Sequence, residues 1–181
     1  MTVEAEATMP PSAAPRIARA AASAARTLLG VVLLIMVAIN VINAVCRYVF
    51  GIVFPGADEI LVFMMIWLVM LGLILVTADR RNIALDFLAS RLGPRSRLVL
   101  AVMQHAAMTV ACAFATVQSW AFVSRVASIG QTSMALGIPM AIPHFALVVG
   151  LTGTTIVAAL LLASDIAALA QAPTPRRADR A

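Results

Sequence analysis

Four long stretches without a charged residue divide this chain, and they restrict the possible folds more than any other feature. They cover residues 27–46, 60–78, 98–124 and 126–164. An α-helix rises about 1.5 Å per residue, so about 20 residues cross the roughly 30 Å of hydrocarbon in a bilayer. The first three stretches each predict one crossing. The fourth is too long for one helix, and Gly130, Gly137 and Pro139 in its first part are typical of a loop.

The composition indicates that these stretches lie in lipid. The chain is 62% hydrophobic and 12% charged, whereas about 25% of the residues in a soluble domain are charged. We therefore predict an all-α integral membrane protein with four transmembrane helices. The predicted spans are about 27–47, 59–78, 98–123 and 139–163, within a membrane domain of residues 27–164. Residues 1–26 are predicted to be a disordered N-terminal tail, and residues 165–181 a C-terminal tail.

The arginines predict the orientation of the chain in the membrane. All 13 basic residues are arginine, and eleven of them precede the first span, lie between the second and third, or follow the fourth. Only Arg47 and Arg125 lie on the other side. Because basic loops stay inside, both tails are predicted to be cytoplasmic. The net charge of +5 does not indicate nucleic acid binding, because the arginines form no patch interleaved with aromatic residues.

The hairpin between the first two spans carries three charges on the predicted outer side. Arg47 ends the first span, where its long side chain can extend to water. Asp58 and Glu59 begin the second span, where carboxylates meet the positive end of the helix dipole. Their similar depth on adjacent helices makes a pairing of Arg47 with Asp58 or Glu59 geometrically reasonable. Two interpretations stay open: a clamp that holds the hairpin, and a surface that docks another protein.

The segment between the second and third spans predicts an amphipathic helix on the cytoplasmic surface of the membrane. Leu85, Leu88 and Leu92 share one helical face. The charged residues of this candidate interfacial helix are Arg81, Asp86 and Arg91. Its arginines would lie among anionic headgroups. The segment is either a connector only or a contact for a partner protein.

Polar and small residues recur on one face of three spans and predict helix packing. The candidate packing residues are Asn40 and Asn43 in the first span, His105 and Thr109 in the third, and Gly150 and Thr154 in the fourth. Small residues let helices approach closely, and polar side chains hydrogen-bond between helices. An ion path is less favoured, because the acidic residues near the spans, Asp165 among them, are predicted to lie at span ends. A coupled pump needs an ionisable group at depth.

No catalytic, cofactor or metal site is predicted, and the chain is not expected to be an enzyme. His105 and His144 are the two histidines. They are expected to lie about 15 Å apart along the membrane normal, whereas two axial ligands of one haem must lie nearly level. Cys46 and Cys112 fall in or beside apolar stretches, which predicts buried thiols instead of a disulfide.

Several phrases in a fixed order resemble one family of transport proteins. NVINAVCRYVFG ends the first span, PGADEILVFMMIWLVMLGLILV forms the second, RRNIALDFL and RLGPRSR follow it, and MALGIPMAIPHFALVVG enters the fourth. Together they resemble the small membrane subunit, DctQ type, of tripartite ATP-independent periplasmic (TRAP) transporters, over about Leu28 to Leu162. Asn82 and Ala141 depart from the family pattern, which often has histidine and tryptophan at these positions.

The resemblance implies a function. Such transporters import small organic anions with a sodium gradient, a periplasmic binding protein captures the substrate, and a large permease subunit holds the substrate and sodium sites. The small subunit is implied to be a multi-pass scaffold in the bacterial inner membrane. It would brace the large subunit in the lipid bilayer and help to dock the binding protein, with no cofactor of its own. Arg47, Asp58 and Glu59 would then mark the outer edge, and Arg81 and Asp86 the inner connector.

Two other functions stay open. One is a self-sufficient four-span exporter of small molecules, although such exporters are shorter and place a glutamate in the first span, where this chain has Asn40 and Asn43. The other is an anchor subunit of a respiratory complex, which would bind a quinone or a haem.

Overall fold

The computed structural model describes residues 13–79 and 93–171. Four α-helices make up most of this part of the chain: α1 Ala13–Val49, α2 Ala57–Ala78, α3 Pro94–Ser128 and α4 Ala141–Gln171. Each is long and apolar enough to cross a membrane. The described ranges contain no β-strand, only an isolated bridge between Thr132 and Pro139. The prediction of four helices, each able to cross a membrane by its length and composition, is confirmed.

The segment predicted to form the interfacial helix lies outside the described residues. Residues 80–92 include its charged residues Arg81, Asp86 and Arg91. Residues 1–12 and 172–181, in the two predicted tails, also lie outside.

Local sequence explains where three helices begin. Gly56 precedes α2 with a φ of 88°, a left-handed conformation that glycine adopts without steric cost. Pro94 begins α3, at a position where the missing N–H of proline has no helical partner to lose. The fourth helix begins at Ala141, so Pro143 also lies in a first turn and the helix continues past it.

The central helix is α4. It packs against both α3 and α2, and α1 packs against α2. Most of its buried residues are small: Pro143, Ala146, Val148, Gly150, Thr154, Ala158 and Asp165. Elsewhere the helices expose large apolar side chains, such as Leu34 at 69% and Val110 at 71%. Such surfaces suit contact with lipid or with other membrane helices.

Two helices approach each other closely at Gly150. A methyl group added there would lie 2.6 Å from Cβ and 2.9 Å from the backbone oxygen of Met70. Backbone atoms cannot move aside as the end of a flexible side chain can, so this position requires glycine. Gly150 therefore lies at the contact between α4 and α2.

Candidate partner-binding surface

The end of the bundle formed by residues 47–59 and 129–140, called the hairpin end below, contains the charged hairpin. There Asp58 links α1 to α2, because its Oδ1 accepts a hydrogen bond from Nδ2 of Asn43 at 3.3 Å. Arg47 is exposed and forms no ion pair within the described ranges. The pairing of Arg47 with Asp58 or Glu59 that their similar depth allows is therefore not formed in the described part of the chain. Asp58 instead accepts a hydrogen bond from Asn43, which lies one helical turn deeper than Arg47. Glu59 binds the loop between α3 and α4.

Glu59 holds the loop between α3 and α4. Its Oε1 accepts a hydrogen bond from the backbone N–H of Ala135 at 2.9 Å, and its Oε2 accepts one from Leu136 at 3.2 Å. Hydrogen bonds to an ionised carboxylate are stronger than those between neutral groups. Glu59 thus joins the first turn of α2 to a loop more than 70 residues away in sequence.

This loop, residues 129–140, is folded on itself. The N–H of Ser133 donates to the carbonyl oxygen of Ile138 at 2.8 Å, and the Ser133 hydroxyl oxygen accepts the N–H of Ile138 at 3.2 Å. Ser133 is buried, whereas its neighbour Met134 is fully exposed. The loop therefore presents an apolar side chain at its tip above a hydrogen-bonded base.

A groove of about 460 Å³ opens beside this loop. Its lining residues are Asp58, Glu59, Val62, Phe63, Gln131, Thr132, Ser133, Met134 and Met140. The lining combines carboxylates, an amide and hydroxyls with apolar side chains. Mixed surfaces of this kind are typical of protein contacts that form in water.

A second polar link joins α1 to α2 at the opposite end of the bundle, called the tail end below. The guanidinium of Arg26 lies 3.3 Å from Oδ1 of Asp79. Both side chains are partly exposed, so this ion pair contributes little to stability by itself. Its consequence is geometric, because α1 is tied to α2 near both ends of α2.

Of the two candidate packing residues of α3, His105 contacts Asp165, an acid that was expected at the end of a span. Nδ1 of His105 lies 2.7 Å from Oδ2 of Asp165, and both residues are buried between α3 and α4. Asp165 was expected at the end of the fourth span, but α4 continues to Gln171 and carries it into the bundle. The hydroxyl of Thr109, by contrast, donates within its own helix to the His105 carbonyl oxygen at 2.7 Å.

The remaining predicted residues have separate environments. Thr154 is fully buried, and its hydroxyl has no hydrogen-bond partner in the described ranges. Asn40 is exposed on α1. His144 donates from Nδ1 to the carbonyl oxygen of Met140 at 2.6 Å, and its ring lies 4.9 Å from that of Phe122. Within the described residues, no three His, Cys, Asp or Glu side chains lie close enough together to hold a metal ion.

Comparison with known families assigns the chain. The family described as "Tripartite ATP-independent periplasmic transporters, DctQ component" matches residues 36–168. The chain belongs to the DctQ family. The match begins within α1 and ends within α4, so it spans all four helices of this DctQ chain. A search of curated proteins found no match.

The DctQ assignment confirms the resemblance that the sequence phrases carry. It makes the chain a small permease component of a TRAP transporter, and a multi-pass membrane protein. DctQ is a family of transporter components and not a family of enzymes. At the level of the family, the partners of a DctQ component are a large permease and a periplasmic binding protein.

Sequence reasoning missed three features of this DctQ chain: the Glu59 contact with the loop, the Arg26–Asp79 pair and the His105–Asp165 pair. Each joins residues more than 50 positions apart, which periodicity within one helix cannot reveal. One signal was present for the last pair. A histidine deep in a span needs a polar partner, and Asp165 is the acid nearest to the fourth span.

Proposed function

We propose that this chain is the scaffold of a sodium-driven TRAP transporter that imports a small organic anion across the bacterial inner membrane. It braces the large permease subunit in the bilayer and helps to dock the periplasmic binding protein. Both tails lie in the cytoplasm, the hairpin end faces the periplasm, and an interfacial helix follows α2. The distribution of arginines supports this orientation.

One observation carries the scaffold role: polar side chains of the helices bind other parts of the same chain. Asn43–Asp58, Arg26–Asp79 and His105–Asp165 each join two helices of the chain itself, and Glu59 joins α2 to the loop. These contacts suit a subunit whose task is to keep a fixed shape beside a moving or binding partner. On this basis Asp58 and Glu59 are clamps, and Arg47 is the charge of the hairpin that is left for a partner.

Reconstitution into liposomes tests the scaffold role. The large subunit, this chain and the binding protein are supplied together or singly, with an inward sodium gradient and a labelled organic anion. Uptake is expected only when both membrane subunits are present. Transport by this chain alone would instead support the exporter, and a Soret band in the purified chain would support the respiratory anchor.

Met134 provides a test of the docking role. The exposed tip of the loop is expected to contact the binding protein, so Met134→Glu should raise the concentration of binding protein needed for half-maximal uptake. Met134→Leu keeps an apolar tip and should behave like the unmodified chain. Unchanged binding-protein dependence in the Met134→Glu variant, with normal assembly of the membrane subunits, would exclude the loop as a docking surface.

A further inference from the structure

The first helix is held to the rest of the bundle through its contact with α2. Asn43–Asp58 ties the two helices at the hairpin end, and Arg26–Asp79 ties them at the tail end. Between these links lies a groove of about 360 Å³. Its lining residues are Leu33, Met36, Val37, Asn40, Val41, Leu61, Val62 and Met65. The two links therefore flank an apolar groove on the side of the bundle, called the seat below.

One amide interrupts this apolar lining. Asn40 is exposed in the groove and makes no hydrogen bond within the described ranges. It lies seven residues before Arg47, which places it about 10 Å deeper along the helix axis. Lipid tails supply neither a donor nor an acceptor, so an amide that faces them is unfavourable. An occupant that satisfies Asn40 must itself carry a hydrogen-bonding group.

A charge lies on the same face of α1, beyond the lining of the groove. Arg47 follows Asn40 by two helical turns, so both side chains lie on one face of α1. Arg47 is exposed and has no ion pair in the described part of the chain. A complementary helix would carry an amide or hydroxyl side chain opposite Asn40 and a carboxylate opposite Arg47. A second copy of this chain seated symmetrically there would instead bring two Arg47 side chains together.

We propose that this groove seats one transmembrane helix of the large permease subunit, with a hydrogen-bonding side chain at Asn40 and an acidic residue near Arg47. The inference rests on the proposed scaffold function and names the surface that performs it. Val62 lines both this groove and the groove at the hairpin end. A helix in the seat would therefore reach the surface proposed for the binding protein, which brings both partners together beside α2.

Two other grooves provide matched comparison positions. Leu28 lines an apolar groove bounded by α1, α2 and α4, with no amide in its lining. Leu147 lines a groove between α3 and α4 that contains the Gln118 amide and His144 but no charged residue. Arg125 follows Gln118 by seven residues, as Arg47 follows Asn40, but Ser119 and His144 supply polar neighbours in the groove of Leu147. Asn40, by contrast, has only apolar residues beside it in the lining of its groove.

Photo-crosslinking in the assembled transporter locates the partner. The photoreactive residue p-benzoylphenylalanine replaces Val37, Leu28 or Leu147 in the full chain, which is co-expressed with the large subunit. Irradiation of membranes is expected to join the two subunits from position 37, and to give little or no such product from positions 28 and 147. Adducts with the large subunit only from position 28 or 147, or adducts from position 37 with a second copy of this chain, would overturn the proposal.

Substitutions at the two polar positions test the chemistry of the seat. Asn40→Leu should lower the yield of the position-37 adduct about threefold, the usual effect of one hydrogen bond between membrane helices. Val41→Leu, in the same groove, should leave the yield unchanged. Arg47→Glu should also lower it, and Arg47→Lys should preserve it. Equal yields from Asn40→Leu and Val41→Leu would contradict the role assigned to the amide.

Failure of this proposal is distinguishable from failure of the scaffold function. Co-purification of the unmodified chain with the large subunit reports on the function, and the position of the adduct reports on the surface. If the subunits co-purify but position 37 gives no adduct, the seat is wrong and the scaffold role stands. If the unmodified subunits do not associate, both are wrong.

Discussion

At the scale of single residues, Gly150 has the most sharply defined requirement. A methyl group at this position would meet Cβ, the backbone oxygen and Cα of Met70, so the backbones of α4 and α2 lie close together here. Close backbone approach through small residues is a general way for membrane helices to associate without a hydrophobic driving force. The stability of the α2–α4 contact therefore depends on the absence of a methyl group at one position.

Gly150→Ala is expected to destabilise the protein. The added Cβ would lie 2.9 Å from the Met70 backbone oxygen, and overpacking of this kind costs about 1–3 kcal/mol. Gly72→Ala is the matched control, because a Cβ at Gly72 meets nothing within 4 Å. Thermal unfolding in detergent should give a lower midpoint for Gly150→Ala and an unchanged or slightly higher one for Gly72→Ala. Equal midpoints would mean that the helices are farther apart than described.

At the hairpin end, the sequence predicted the role of the acidic residues in starting α2 but not their hydrogen-bond partners. The acidic pair at the start of α2 was predictable as a helix-starting signal, since carboxylates favour that end of the helix dipole. Their partners were not predictable. The side chain of Asn43 and the backbone of the 129–140 loop reach Asp58 and Glu59 only after the helices have packed. A contact with backbone N–H groups leaves no pattern of residue types in the sequence.

At the scale of helices, α3 and α4 share a buried polar contact. His105 and Asp165 lie 2.7 Å apart with little access to solvent. Low dielectric strengthens such a contact and also makes the loss of one partner costly. The pair is thus a joint between two helices whose other contacts are mainly apolar.

His105→Leu should weaken this joint, because Asp165 would lose a buried hydrogen-bond partner. Removing one hydrogen-bond partner of a buried polar group costs about 1–3 kcal/mol. His105→Gln keeps a donor and should lose less. Thermal unfolding of both variants in detergent measures the difference. Equal losses would show that the side-chain volume of His105 matters and its hydrogen bond does not.

The lengths of the helices were less predictable than their number. Four uncharged stretches sufficed to predict four crossings, because no other arrangement buries so many apolar residues in a chain with so few charges. The helices continue beyond the predicted spans, α3 to Ser128 and α4 to Gln171. Charged and polar residues can extend a helix beyond the hydrocarbon, so uncharged stretches indicate the membrane crossing and not the whole length of the helix.

At the scale of the whole molecule, the orientation in the membrane has a direct test. Met134→Cys and Ser96→Cys are placed separately in a chain that carries Cys46→Ser and Cys112→Ser. Both target positions are exposed, one at the hairpin end and one in the first turn of α3. A membrane-impermeant maleimide should label the cysteine at position 134 from the periplasmic side. The cysteine at position 96 should react only after the membrane is opened. The reverse pattern would invert the proposed topology.

The central place of α4 has a consequence for how the protein is made. Ribosomes deliver α1 and α2 before α3 and α4, and the two earlier helices can pair as soon as they enter the bilayer. When α3 enters, α4, against which it packs, has not yet been synthesised. Because α4 packs against both α2 and α3, its arrival connects the earlier pair with α3. A chain cut short before Ala141 would therefore lack the helix that packs α3 against the α1–α2 pair, and quality-control proteases can recognise such unpacked helices.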